Sequence, residues 1–173
     1  EKMSFSLVDF ELRTCFEETL CLLRTQAEQK GLLLALSVPE GLPERVHGDD
    51  RRIRQIILNL VGNALKFTEQ GEVAVVVDIQ PHKDRLELSF SVKDTGIGIS
   101  QEKLAHVFER FSQAETATTR RFGGTGLGLT ISRKLAEAMN GDIKVTSEFG
   151  LGSCFTVKLL LDVAQSPVSA NQN

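Results

Sequence analysis

A row of four polar side chains runs along the otherwise apolar segment 55–68, and it could bind a polar ligand. A spacing of four, four and three residues would place all four on one face of a helix. They are Gln55, Asn59, Asn63 and Lys66. The rest of the segment is apolar on nearly every side, which is typical of a buried helix. Because buried polar groups are costly unless they are paired, the row either hydrogen-bonds other protein groups or lines a cavity for a polar ligand.

A carboxylate is predicted to face the core at the end of a strand that begins at Arg85. Alternation places the apolar residues of this strand on one face, and by the same parity Asp94 lies on that face. One interpretation is that Asp94 only caps the turn at Thr95 and Gly96. The other is that it binds a flat ligand, because the two glycines of DTGIGIS, 94–100, permit close approach to the backbone.

A glycine-rich segment, GGTGLGL at 123–129, directly precedes a predicted helix. Helix N-termini present free N–H groups and a positive dipole end, so they can bind phosphate. The segment matches neither GxxxxGK[ST] nor GxGxxG, and a flexible connection is the alternative. The polar stretch 112–122 before it is interpreted as a lid, with Arg110, Arg120 and Arg121 placed to reach phosphate charge.

These segments are more specific in combination than separately. A buried carboxylate suits an exocyclic amine, and a pair of amides suits a hydrated Mg²⁺, which takes oxygen ligands and keeps several waters. A lysine lies on the same face as the amides, and a glycine loop begins a helix. Together they describe a site for an adenine ring, a metal ion and a triphosphate.

The elements that must position these residues fit one domain of α/β class. The predicted helices are about 9–30, 50–69, 100–111 and 130–139, and the predicted strands are 5–7, 32–38, 72–80, 85–94, 142–147 and 153–161. Asp9 is the predicted cap of the first helix, and 39–50 is a predicted loop. The last helix is predicted to turn Ile131, Leu135 and Met139 inward. Helices that alternate with strands joined by short turns predict a two-layer α/β sandwich, with a mixed sheet and helices on one face.

Composition excludes several classes of function. The chain has 173 residues, of which 41% are hydrophobic and 25% charged, and its net charge of −3 is dispersed, so no attraction to nucleic acid or membrane is indicated. Three cysteines without CxxC spacing predict buried free thiols. Residue 1 is Glu, so we interpret the chain as part of a longer protein.

The chain resembles the catalytic ATP-binding domain of sensor histidine kinases, within the superfamily of gyrase, chaperone, kinase and mismatch-repair ATPases. The matching motifs are the N box NLVGNALKFT (59–68), the G1 box DTGIGI (94–99), the F box FERF (108–111), the G2 box GGTGLGL (123–129) and a last glycine turn, GLGS (150–153). They follow the family order from about Phe5 to Leu161. The resemblance implies a Bergerat-type ATP-binding fold, with ATP and Mg²⁺ as cofactors.

The resemblance also implies a role for each matching residue. Asn63 would be a ligand of Mg²⁺, with Asn59 beside it at the metal and the γ-phosphate, and Lys66 would contact phosphate or ribose. Asp94 would accept a hydrogen bond from the adenine amino group. The residues implied beside the adenine ring are Gly96, Gly98 and Ile99.

The glycine segment completes the implied nucleotide site. Its members are Gly124, Thr125, Gly126, Leu127 and Gly128. The implied catalytic set is Asn59, Lys66, Arg110 and Arg120, in which either arginine would stabilise the charge of the transferred γ-phosphoryl group.

The partners of the domain are expected outside this chain. His47, His82 and His106 do not match the acceptor pattern of the family, so a histidine-containing dimerisation domain is expected before residue 1. The sequences KFTEQGEV (66–73) and TTRRFGGTGLGL (118–129) resemble those of hybrid kinases, which implies a receiver domain as a second partner. Residues 1–162 are thus the expected catalytic domain and 163–173 a linker to that receiver. The resemblance also implies a cytoplasmic domain in a parent protein anchored in the inner membrane.

Two rival functions remain open. The resemblance implies that ATP-hydrolysing members of the superfamily have a glutamate at the position of Asn59. That glutamate activates water as a general base. A carboxamide cannot accept that proton, whereas a neutral imidazole already has a free acceptor nitrogen. Asn59 therefore favours transfer to histidine over an ATPase of the chaperone or gyrase type. The second rival is a non-catalytic kinase-like module that signals by protein contacts.

Overall fold

A computed structural model of the chain describes residues 6–107 and 127–164. The helices in these ranges are α1 (Leu12–Gln29), α2 (Asp50–Phe67), α3 (Gln101–Leu104) and α4 (Leu127–Ala138). The strands are β1 (Val8–Phe10), β2 (Leu33–Ser37), β3 (Val46–Gly48), β4 (Glu72–His82), β5 (Arg85–Asp94), β6 (Asp142–Glu148) and β7 (Gly152–Val163).

The strands form one mixed sheet. Its order is β1-β3-β7-β5-β4-β2, and β6 pairs with the first half of β7. Only β2 and β4 pair in parallel, because α2 lies between them in the chain, and the remaining described pairs are antiparallel. The predicted two-layer α/β sandwich with a mixed sheet is confirmed.

The helices cover one face of the sheet, and α2 lies at the centre of the helical layer. Helix α2 packs against α1 on one side and α4 on the other, and it contacts β4 and β5 beneath. Most of its apolar residues are buried, while Leu58 and Phe67 are half-buried. The buried ones are Ile53, Ile56, Ile57, Leu60, Val61, Ala64 and Leu65. Residues that point to the opposite face of the sheet, such as Ser89, Ser91 and Thr156, are half-buried. The core therefore lies between the sheet and α2.

The alternation of β5 is also confirmed. Leu88, Phe90 and Val92 are buried together with Asp94, and each neighbouring residue between them is more exposed. The Phe90 ring meets Phe16 of α1 edge to face, with the ring centroids 5.0 Å apart. The carboxylate thus ends a strand that is fixed in register by the core.

Several local predictions are wrong near the N-terminus. Asp9 does not cap α1: it lies in β1, where its Oδ1 contacts His47 Nδ1 at 2.8 Å. Glu11 occupies the N-cap position, but its Oε1 accepts from Thr14 Oγ1 at 2.8 Å and does not cap a backbone N–H group. The segment 39–50 is not wholly a loop, because β3 forms there and joins β1 to β7.

Other differences concern burial and length. The spacing of α4 predicts that Ile131 faces inward, but it is 39% exposed, while Leu135 and Met139 are buried. Of the three cysteines, only Cys15 is a buried free thiol: Cys21 is exposed and Cys154 is half-buried. Burial raises the pKa of Cys15 to about 12.

Strand β7 ends at Val163, one residue beyond the predicted domain boundary. That boundary and the linker beyond it stay predictions, since the linker lies almost wholly outside the described residues. Within residues 6–107 and 127–164, no helix combines the length and the hydropathy that crossing a membrane requires.

Candidate functional site

Helix α2 is fixed at its N-terminus by a buried carboxylate. Asp49 is 2% exposed, and its Oδ1 accepts a hydrogen bond from the Arg52 N–H at 3.2 Å. Its Oδ2 accepts another from the Ser6 N–H at 2.8 Å. Capping satisfies a free donor of the first helical turn, so Asp49 fixes both the start of α2 and the chain that leads into β1.

The C-terminus of α2 is fixed by two other groups. Lys30 Nζ donates to the Leu65 carbonyl at 2.6 Å and to the Lys66 carbonyl at 3.2 Å. The Phe67 carbonyl accepts from the Ile97 N–H at 3.2 Å. A lysine at the carbonyl end of a helix also complements the helix dipole. Helix α2 is therefore held at both ends, and its polar row has a fixed position.

The polar row is half-buried and its members differ in their bonding. Asn59 Nδ2 donates to the Gly128 carbonyl at 3.3 Å and to Ser132 Oγ at 3.1 Å. Gln55 Oε1 accepts from Arg52 Nη1 at 3.4 Å. Asn59 and Gln55 thus behave partly as the hydrogen-bonded stripe that was one interpretation of the row.

Asn63 and Lys66 differ from the other two. Both side chains are half-buried, and neither forms a hydrogen bond with another described residue. Their polar groups therefore remain open to a ligand, as the second interpretation of the row requires. Asn63 lies one helical turn after Asn59, so the two amides are neighbours on one face.

Asp94 lies where the sequence predicts, with its carboxylate turned inward. It is 7% exposed, and its Oδ1 accepts from the Gly96 N–H at 2.8 Å. Burial raises the pKa of Asp94 above its ordinary value, and hydrogen bonds from the backbone N–H groups of Gly96 and Ser153 oppose that rise. Asp94 therefore does cap its turn, and it is also a buried carboxylate with further acceptor capacity.

The glycines after Asp94 allow backbone segments to approach closely. A Cβ on Gly96 would lie 2.3 Å from the Phe67 carbonyl oxygen, and one on Gly98 would lie 2.2 Å from the Glu148 carbonyl oxygen. Gly98 also has a φ of +73°, which favours glycine. The approach that requires these glycines is thus to protein backbone, and their contact with a ring stays a prediction.

Gly96→Ala is expected to destabilise the domain by about 2–4 kcal/mol, because a methyl group would displace the end of α2. Gly128→Ala is the matched control. A Cβ there would make ordinary contacts of 3.7 Å with Asn59 Cγ, and alanine favours helix by up to about 1 kcal/mol. Urea unfolding of both variants measures the difference; equal free energies of unfolding would contradict this account of Gly96.

The remaining predicted residues are only partly described. Ile99 is half-buried, packs on the core and donates its N–H to Ser147 Oγ at 2.7 Å. Leu127 and Gly128 begin α4, so the glycine segment does lead into a helix that contacts α2. Six predicted residues lie outside the described ranges, as does the predicted lid, 112–122: Arg110, Arg120, Arg121, Gly124, Thr125 and Gly126.

Three residues of this region were missed by the sequence prediction. They are Lys30, Ser132 and Ser153. Ser132 follows Gly128 by four residues on α4, so helical spacing could have placed both beside one partner. Lys30 carries no local signal, because its contact depends on how α1 packs against α2.

Known proteins resemble this chain along most of its length. Residues 48–163 match the family model described as histidine kinase-, DNA gyrase B- and HSP90-like ATPase. The signal transduction histidine-protein kinase BarA of Escherichia coli is 39% identical over 163 residues, covering 94% of this chain and 18% of that protein. Hybrid signal transduction histidine kinase B of Dictyostelium discoideum is 39% identical over 156 residues, covering 90% of this chain and 8% of that protein.

A solved structure agrees with this match. Full-length ShkA in complex with AMPPNP has a TM-score of 0.81 and 33% identity, covering 96% of this chain and 34% of that one. The chain spans less than a fifth of the length of BarA and of the Dictyostelium kinase. Because the family model covers well over half of the chain, and the fold and motif order agree with it, the chain belongs to the family of histidine kinase-, DNA gyrase B- and HSP90-like ATPases.

Proposed function

We propose that this chain is the catalytic domain of a hybrid sensor histidine kinase. It binds ATP with Mg²⁺ and transfers the γ-phosphoryl group to a histidine on a dimerisation domain outside the chain. A receiver domain of a response regulator is the expected next acceptor. The names of the relatives support this reading, since they are signal transduction histidine kinases and one is a hybrid kinase.

The observation that carries the proposal is the bonding of Asn59. Its amide nitrogen donates to Gly128 and Ser132, so the side chain is a fixed hydrogen-bonding group rather than a proton acceptor. Hydrolysis needs a general base to activate water. No base stands at this position, and a neutral imidazole nucleophile needs less help because one ring nitrogen is already a free acceptor. The site therefore favours transfer to histidine over hydrolysis.

The described residues fit an adenine ring. Asp94 is a buried acceptor at the end of β5, and the 94–99 loop beside it is tied to α2 through the Ile97 N–H and the Phe67 carbonyl. An exocyclic amino group needs such an acceptor, and a carboxylate that already accepts from Gly96 and Ser153 still has lone pairs to offer. We propose that Asp94 accepts this hydrogen bond, beside Gly96, Gly98 and Ile99.

The residues also fit a hydrated Mg²⁺. Magnesium takes oxygen ligands, keeps several waters and is commonly held together with substrate phosphates. Asn63 makes no hydrogen bond with described residues, and the bonds of Asn59 engage its nitrogen, so both amide oxygens are available. We propose that Asn63 and Asn59 would hold the ion, which supplies neutralisation of phosphate charge when bound.

The chemistry left to the protein is positioning and charge stabilisation. The histidine nitrogen forms a bond to the γ-phosphorus as the bond to the β,γ-bridging oxygen breaks, and ADP leaves. Lys66 offers an ammonium group on the face of the two amides. We propose that Lys66 contacts the phosphates or ribose, that the 124–128 segment lies against the phosphates, and that Arg110 or Arg120 stabilises the transferred group.

Incubation of this chain with the parent protein's histidine domain and γ-labelled ATP tests the proposal. The expected product is an acid-labile, alkali-stable phosphate on that domain, and none on a variant whose histidine is replaced by glutamine. Steady ATP turnover by this chain alone would instead support a chaperone- or gyrase-type ATPase. Nucleotide binding without any transfer would support a non-catalytic signalling module. Membrane anchoring of the parent and a cytoplasmic location for this domain stay predictions.

A further inference from the structure

The Asn59 side chain has a defined orientation. The atom that faces the Gly128 carbonyl oxygen lies 3.3 Å from it, and the same atom lies 3.1 Å from Ser132 Oγ. A carbonyl oxygen can only accept hydrogen bonds, so the amide atom beside it must be the nitrogen. Asn59 Oδ1 is then the other in-plane atom on Cγ, and neither the Gly128 carbonyl nor Ser132 Oγ engages it. It lies beside the start of α4, 3.9 Å from where a Cβ on Gly128 would stand.

Ser132 is the second group that fixes this orientation. It is 0% exposed, and it lies on α4 one turn after Gly128. Its hydroxyl oxygen accepts a hydrogen bond from Asn59 Nδ2. Removal of this partner would leave a buried hydroxyl unpaired, which destabilises the folded domain. Two acceptors on α4 thus hold one amide group of α2, whereas the Asn63 amide has no such contact with described residues.

We propose that Ser132 is a positioning residue that keeps Asn59 Oδ1 directed to the metal side of the nucleotide site. The inference rests on the proposed function, since it assigns Asn59 Oδ1 to the hydrated ion. Ser132 touches neither metal nor nucleotide and acts only through Asn59. The contact also joins α2 to the first turns of α4, whose first three residues are the end of the glycine segment.

The test compares affinities for AMPPNP in Mg²⁺ and in EDTA. Ser132→Ala is expected to weaken binding in Mg²⁺ by about 3- to 10-fold, the range of one lost neutral hydrogen bond. Its affinity in EDTA should stay within about twofold of the affinity of the unmutated chain, because the nucleotide itself keeps its contacts. Ser132→Thr retains the hydroxyl and should restore the Mg²⁺ dependence.

Two comparisons separate positioning from a loss of stability. Thr19→Ala removes another fully buried hydroxyl, which donates to the Cys15 carbonyl at 2.6 Å in α1, and should leave the Mg²⁺ dependence unchanged. In an Asn59→Ala background, Ser132→Ala should cause no further loss in Mg²⁺. An unchanged Mg²⁺ dependence in Ser132→Ala, or an equal loss in both backgrounds, would overturn the inference.

A readout without nucleotide separates this inference from the proposed function. The side-chain amide resonances of Asn59, identified by their loss in Asn59→Ala, should exchange with water at least about threefold faster in Ser132→Ala. Equal exchange rates would overturn the positioning role. Absence of AMPPNP binding by the unmutated chain would overturn the proposed function and, with it, the assignment of Asn59 Oδ1 to the metal ion.

Discussion

Asp94→Asn is expected to weaken AMPPNP binding by about 100-fold or more while the domain stays folded. Asp94 Oδ1 already accepts from the Gly96 N–H, so an asparagine that keeps this bond would present its NH₂ group to the ligand. A donor would then face the adenine amino group, which is itself a donor. The loss of a buried hydrogen bond to a charged acceptor corresponds to about 2–5 kcal/mol.

The pH dependence of stability provides a second signature of the same residue. Burial raises the folded-state pKa of Asp94, so the folded state holds this proton more tightly than the unfolded state. The unmutated chain therefore loses stability as pH rises from the ordinary aspartate pKa, about 3.9, through the raised value. The asparagine does not titrate, so the stability of Asp94→Asn relative to the unmutated chain should increase with pH across that window.

Calorimetric titration and urea unfolding between pH 4 and 8 measure the two effects. Asp78→Asn is the matched control, because it removes an equal charge from an exposed position on β4 and should retain AMPPNP affinity. A folded Asp94→Asn domain with unchanged affinity would contradict the assignment of Asp94 to the adenine amino group.

Asn63→Ala is expected to remove most of the Mg²⁺ dependence of AMPPNP binding. Its amide makes no hydrogen bond with described residues, so alanine should leave the fold nearly unchanged. Removal of one oxygen ligand should lower the affinity in Mg²⁺ by about 10- to 100-fold, towards the value in EDTA. Asn63→Asp retains an oxygen and should retain the dependence.

Gln55→Ala provides the control for Asn63, because it alters the same polar row two turns earlier on α2. Gln55 is bonded to Arg52 and is expected to contribute nothing to the metal site. Titrations of the three variants with and without EDTA give the comparison. An Asn63→Ala domain that still needs Mg²⁺ to the same degree as the parent would exclude Asn63 as a ligand.

The parts of the site that follow from periodicity could be predicted from the sequence. The spacing of Asn59, Asn63 and Lys66 places them on one face of α2, and the parity of β5 turns Asp94 inward, as the structure confirms. Both depend only on the repeat of a single element. The motif order adds the identity of the ligand, because no single segment specifies adenine.

The contacts between elements could not be predicted in the same way. The bond from Lys30 to the end of α2 depends on how two helices pack, and the bond from Asn59 to Ser132 joins residues 73 positions apart in the chain. Asp9 shows the converse error, since its local sequence suits a helix cap but pairing of β1 with β3 places it beside His47. Tertiary pairing outweighs local propensity at such positions.

Calorimetric titration of the 173-residue chain with AMPPNP, in Mg²⁺ and in EDTA, tests directly whether the chain holds a metal-dependent ATP site. The chain contains neither Trp nor Tyr, so intrinsic fluorescence offers little signal and heat is the better readout. We expect saturable binding at one site, with an affinity for AMPPNP that is at least about tenfold higher in Mg²⁺ than in EDTA. A chain that unfolds cooperatively, and is therefore folded, yet binds no AMPPNP in either buffer would contradict this expectation.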